Sequence, residues 1–151
     1  MSTRSYIGIR NSDKSIRCIY CHWDGYLENN GKILFENYKD KEKIEALLAL
    51  GDLSSLDKEV APPEGVEHSF DHPAEGITVA YHRDRGEDYN APMEFKTDEE
   101  LDEAVKDVWA EFIYLWDESK KSPRWTFRTY SKKTFHDLGK ALEKLNKKGE
   151  D

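Results

Sequence analysis

Apolar residues at Tyr6, Ile7 and Ile9 give way to Asn11-Ser12-Asp13-Lys14 and resume at Ile16, Cys18, Ile19 and Tyr20. Two apolar runs around a cluster of turn-forming residues predict an antiparallel hairpin. In its second arm Ile16, Cys18, Tyr20 and His22 share one face, and Arg17, Ile19, Cys21 and Trp23 the other, because strand side chains alternate. Both faces carry apolar groups, which predicts an interior strand.

The spacing then lengthens. Asn29-Asn30-Gly31 supplies capping and turn chemistry ahead of Ile33, Leu34 and Tyr38, and Asp40 stands before Ile44, Leu47 and Leu48. Two short helices are expected there, the second ending at Gly51. Positions 52–75, with Pro62-Pro63 and Glu64-Gly65 as breakers, read as a long loop excursion. Ile77, Val79 and Tyr81 alternate as a third strand that runs to His82 and feeds the polar stretch Arg83 to Asn90. Thr97 and Glu100 form a capping box ahead of Leu101, Val105 and Val108, which keep helical spacing. Phe112 to Trp116 and Arg124 to Tyr130 read as hairpin arms around the turn-like Asp117 to Pro123. Phe135, Leu138, Leu142 and Leu145 then mark an amphipathic terminal helix. This order predicts an α+β fold: a mainly antiparallel sheet of about five strands with helices packed on one face, in a single domain over 1–151 with a frayed tail at 147–151.

Composition narrows the function. The 151 residues are 37% hydrophobic and 12% aromatic, which argues for a folded core despite 36% charged residues. A net charge of −8 opposes binding to duplex nucleic acid, which needs clustered Lys and Arg. No run is long and apolar enough for a membrane span, and the two cysteines suit a reducing cytoplasm.

Cys18-Ile19-Tyr20-Cys21-His22 has the spelling of a c-type haem attachment site, and with His68 and His72 it spells a zinc set. A strand would put the two cysteines on opposite faces, so both are expected as core thiols, with no cofactor and no metal. His22-Trp23-Asp24 and His82-Arg83-Asp84 each stand at the end of a predicted strand, where residues two apart face the same way and can share a proton. That arrangement is the one expected of an enzyme, a nucleotide hydrolase using His22, Asp24, His82 and Asp84. The richer feature is a mixture of flat rings and guanidinium groups. Tyr20, His22, Trp23, Tyr26, Tyr81 and His82 suit stacking on a nucleobase, Arg4, Arg83 and Arg85 suit phosphate, and Asp24 and Asn30 add polar contacts. These residues form the candidate ligand-binding set, with no residue assigned a catalytic role.

Met1 to Ile9, Ile19 to Tyr26 (Ile-Tyr-Cys-His-Trp-Asp-Gly-Tyr), Asn30 to Leu34, and Gly76 to Tyr81 with Arg83 to Glu87 resemble small uncharacterised proteins of tailed phages and prophages. The resemblance covers less than half the chain and implies context: a phage accessory protein acting in the host bacterial cytoplasm against host defence. Two non-enzymatic modes follow by analogy. The chain would sequester a small nucleotide signalling molecule, or it would inhibit a host defence protein through its acidic surface, alone or as a homo-oligomer.

Overall fold

The computed structural model describes residues 3–149 and is α+β, built on one mixed sheet of eight strands. The strands are β1 (Ser5–Arg10), β2 (Ile16–Cys21), β3 (Leu53–Ser55), β4 (Val79–Ala80), β5 (Met93–Phe95), β6 (Phe112–Asp117), β7 (Arg124–Thr129) and β8 (His136–Asp137). The helices are α1 (Lys32–Asn37), α2 (Lys41–Leu48), α3 (Tyr81–Arg85), α4 (Asp98–Val108) and α5 (Leu138–Gly149), and a π-helical turn spans Leu27–Gly31. Across the sheet the order is β4-β3-β2-β1-β6-β7-β8, with β5 also on β2.

Both expected hairpins form. Tyr6 pairs with Tyr20 in the first, and Trp116 with Trp125 in the second. The sheet as a whole departs from the expected five mainly antiparallel strands, because β1 runs parallel to β6 and β2 parallel to β3, and because three further short strands join it. Hairpins announce themselves through a local turn; parallel partners are joined by distant crossovers that leave no local mark.

The helices also do not share one face. Ile7, Ile9, Ile19 and Cys21 pack with Leu34, Ile44, Leu47 and Leu138, under α1, α2 and α5. Tyr6, Ile16, Cys18 and Leu115 pack instead with Leu101 and Val105 of α4. Every residue of β1 is buried, so one layer of helices cannot cover it. Cys18 and Cys21 fall in the two different clusters, which disposes of joint ligation by that pair.

The helix starts follow the local chemistry. Asp40 caps α2 by accepting from the Glu42 N–H at 3.2 Å, and the Thr97 hydroxyl accepts from the Glu100 N–H at 3.2 Å. The Glu100 carboxylate reaches back one residue further than the capping box requires, to the Lys96 N–H at 2.8 Å.

The third strand is the main local correction. Only Val79–Ala80 is extended, and Tyr81–Arg85 is helical. The Asp84 carboxylate accepts from the Ala80 N–H at 2.8 Å and closes this turn, which stops at Gly86 with φ 79°. The excursion at 52–75 is likewise not all loop, since β3 opens it and Glu59 bridges to Ile77. At the chain end α5 continues to Gly149, so the tail expected at 147–151 is in part helical, and its last two positions lie outside the described residues.

Candidate functional site

Tyr20 and Tyr81 come together because of a stagger in the sheet. β2 and β4 run antiparallel through β3, which by itself would send their ends to opposite rims. Yet Cys21, the last residue of β2, pairs with Leu53, the first of β3, and Leu53 pairs with Ala80, the last of β4. The ladder continues through His22 N–H to the Leu53 carbonyl and Trp23 N–H to the Ser54 carbonyl, both at 3.0 Å. Both strand ends therefore meet at one place. Tyr20, Asp52, Tyr81, His82, Glu87, Asp88 and Asn90 line a cavity of about 190 Å³ there.

Beyond that meeting point the candidate residues diverge. His22 Nδ1 lies 2.7 Å from the Tyr20 hydroxyl, and its ring meets Trp23 edge-on. Asp24 is exposed with φ 55°, and its carbonyl accepts from Asn29 and Asn30, so the first His-x-Asp triplet forms no pair. In the second triplet His82 Nδ1 is 2.7 Å from the Glu87 carbonyl, while the Asp84 carboxylate lies 3.2 Å from His68 Nε2. A helical turn replaces the strand that would have aligned them.

The arginines are engaged in structure. Arg83 holds its neighbour Asp84 and donates to the carbonyls of Val60 at 2.6 Å and Thr78 at 2.7 Å, which ties the excursion to β4. Arg85 stacks on the Phe70 ring and meets Glu87 at 3.4 Å. Arg4 donates to the Val108 carbonyl at the end of α4. Asn30 is fully buried, its amide shared between Ser5 and Cys21. Trp23 and Tyr26 stay open to solvent, at 43% and 37% exposure.

Burial raises the Tyr20 phenol above its ordinary value, with Arg4 pulling the other way. Burial raises Tyr81 too, opposed by a hydrogen bond from Ser54. Both rings are neutral hydroxyls at physiological pH. Burial also pushes the Cys21 thiol up to about 11, which removes it as a nucleophile.

A second and larger concavity lies at the opposite rim, where the parallel strands β1 and β6 end side by side at Arg10 and Asp117. The cleft measures about 510 Å³. Its cations are Arg10, Lys14, Lys120, Arg124 and Lys133, its carboxylates Asp98, Asp117 and Asp137, and Phe135 and His136 supply rings. The Arg10 guanidinium lies 5.1 Å above the Phe135 ring and is bound by Asp98. Arg124 sits 3.7 Å from Asp137, and Lys133 is 3.5 Å from Asp102. None of these residues stands out in the sequence, since the cations are dispersed over three stretches, Arg10 to Lys14, Lys120 to Arg124 and Lys133, and make no basic run. In open α/β sheets ligands settle at the carboxyl ends of parallel strands, and this cleft lies at the carboxyl ends of the parallel pair β1 and β6 within a mixed sheet.

Among the described residues no group of three His, Cys, Asp or Glu is placed to hold a metal ion, and no helix is long and apolar enough to cross a membrane. Comparison with protein families, with curated proteins and with solved structures finds no match for this chain.

Proposed function

We propose that the protein binds and sequesters a small nucleotide without transforming it, holding the phosphates in the cleft at the ends of β1 and β6. The observation that carries this reading is a contrast of charge. Five cations and three carboxylates line the cleft; Arg10, Arg124 and Lys133 are paired with Asp98, Asp137 and Asp102, which leaves Lys14 and Lys120 without a carboxylate partner among the described residues, on a chain whose net charge is −8. A local excess of positive charge on an acidic protein concentrates an anion where the rest of the surface repels it. At about 510 Å³ the cleft also falls in the range of small-molecule sites, roughly 300 to 1,000 Å³. Phe135 and His136 offer rings beside a base. The cavity between Tyr20 and Tyr81, at about 190 Å³ and with three carboxylates, suits neither the size nor the charge of a nucleotide.

The resemblance to phage proteins supplies the setting: removal of a host signalling nucleotide in the bacterial cytoplasm. Inhibition of a host protein through the acidic run on α4 has less support. Asp102, inside that run, is buried against Arg128 at 3.1 Å and faces Lys106 at 3.0 Å, so part of its charge is already neutralised. A hydrolase is disfavoured by the separation of His22 from Asp24 and of His82 from Asp84.

Calorimetry against cyclic di- and trinucleotides tests the proposal. At least one should bind tighter than ~10 µM, be recovered unchanged, and lose most of its affinity in a Lys120→Glu, Arg124→Glu variant. A complete panel with no binding at that level overturns it.

A further inference from the structure

We propose that the cavity between Tyr20 and Tyr81 is a second binding site, with the opposite preference: it takes an alkylammonium group, through its two phenol rings, the His82 imidazole and the carboxylates of Asp52, Glu87 and Asp88. Two independent features of the same cavity lead here. Three aromatic rings contribute to its wall, and the three charged side chains of its lining are all acidic. Ring faces carry negative quadrupole potential and attract a cation that is weakly hydrated, while carboxylates set the sign of the charge.

The fold itself holds the Asp52 side of the wall, while His82, Glu87 and Asp88 are exposed to solvent. Asp52 is locked by two hydrogen bonds, accepting from the Tyr20 N–H at 3.2 Å and from the Asn90 side chain at 3.2 Å. Gly51, at φ 76°, allows the chain at Asn90 to approach so closely that a Cβ there would lie 2.5 Å from the Asn90 carbonyl oxygen. The Tyr89 hydroxyl donates to the Ala49 carbonyl at 3.1 Å, and the Tyr89 ring braces His82 edge-on at 5.2 Å. Because a carbonyl only accepts, the contact between His82 Nδ1 and Glu87 O places a proton on Nδ1. In the neutral ring Nε2 is then an acceptor, as an ammonium requires.

Competing ligands fit less well. An anion would face three carboxylates with Arg85, paired to Glu87 at 3.4 Å, as their one counter-charge among the described residues. A divalent metal needs several converging ligand atoms, and among the described residues no group of three His, Cys, Asp or Glu is placed to supply them. A volume of about 190 Å³ admits an ammonium head with a few methylenes. A lysine side chain and a free aliphatic amine share that chemistry.

The test is an NMR titration of the full chain with n-butylammonium, butanol and Nα-acetyl-lysinamide. Saturable shifts of the Tyr81 and His82 ring signals are expected with n-butylammonium and absent with butanol. A response to n-butylammonium stronger than to acetyl-lysinamide assigns the site to free amines, and the reverse assigns it to lysine side chains; either supports it. In a Glu87→Gln, Asp88→Asn variant the affinity should fall about tenfold. Should that variant misfold, raising salt to about 0.5 M must weaken the wild-type response instead. Equal shifts with butanol, or none with either cation up to ~50 mM, overturn the proposal. Nucleotide affinity at the opposite rim is read separately and does not enter this result.

Discussion

Arg10 donates to Asp98 through both terminal nitrogens, at 2.7 and 3.1 Å, on the wall of the basic cleft. The arginine is nearly buried, with 9% of its side chain exposed, and the aspartate is half exposed. Asp98 therefore occupies the donors that a phosphate would otherwise receive. Replacing it by Asn keeps the shape and removes the competing charge. We expect Asp98→Asn to tighten nucleotide binding by about threefold to tenfold, at a stability cost of about 1 kcal/mol or less. Calorimetry and urea unfolding of the same preparation check both halves; weaker binding in the variant would refute the assignment of the cleft.

A second pair has the opposite character. Asp102 and Arg128 meet at 3.1 Å with both side chains buried, and Arg128 also donates to the Thr129 and Tyr130 carbonyls. Removing the carboxylate leaves a buried guanidinium with backbone oxygens alone. Asp102→Ala should lower the unfolding free energy by about 3 kcal/mol, read as a shift of the urea midpoint with unchanged slope.

Acid should destabilise the fold through Asp84 and Asp102. Burial alone would raise the Asp84 carboxyl, but hydrogen bonds from Arg83 and the Ala80 N–H, with the charges of Arg83 and His68, hold it below its ordinary value. Burial is likewise outweighed at Asp102 by hydrogen bonds from Lys106 and Arg128. A carboxyl depressed in the folded state binds fewer protons there than in the unfolded chain. Its contribution is thus present above the unfolded value near ~3.9 and is lost as pH falls through the lower folded value. Urea unfolding from about pH 6 down to about pH 2 should show this loss, and Asp84→Asn should flatten it.

Glycine substitutions should separate a crowded position from an open one. At Gly8, in the wholly buried β1, a Cβ would collide with the Arg17 carbonyl and lie 2.5 Å from the Cys18 Cβ of β2. We expect Gly8→Ala to cost about 4 kcal/mol or to prevent folding. Gly65 has φ 84°, and a methyl added there would meet no heavy atom within 4 Å, so Gly65→Ala should cost only the left-handed strain, about 1 kcal/mol. Thermal unfolding of the two variants side by side decides this, and equal losses would contradict it.

What the chain determined by itself is what depends on neighbours a few residues away. Apolar and aromatic runs bounded by turn residues built β1, β2, β6 and β7, whereas the alternation at Ile77 to Tyr81 kept only Val79–Ala80 extended; the Asp40 and Thr97 side chains started α2 and α4, and Asn11 to Lys14 closed the first hairpin. Tertiary structure decided what depends on distant partners. The parallel pairing of β1 with β6 put Arg10 beside Asp117 and made a cleft from cations that form no pattern along the chain. The Leu53 junction drew Tyr20 and Tyr81 into one cavity although their strands run antiparallel. Asp84, expected as partner to His82, instead bonded Ala80 and approached His68. The reason is physical: side-chain periodicity and capping act over one or two turns of chain, whereas the partner of a strand edge or a buried carboxylate is chosen by burial and hydrogen bonding once the whole core has closed.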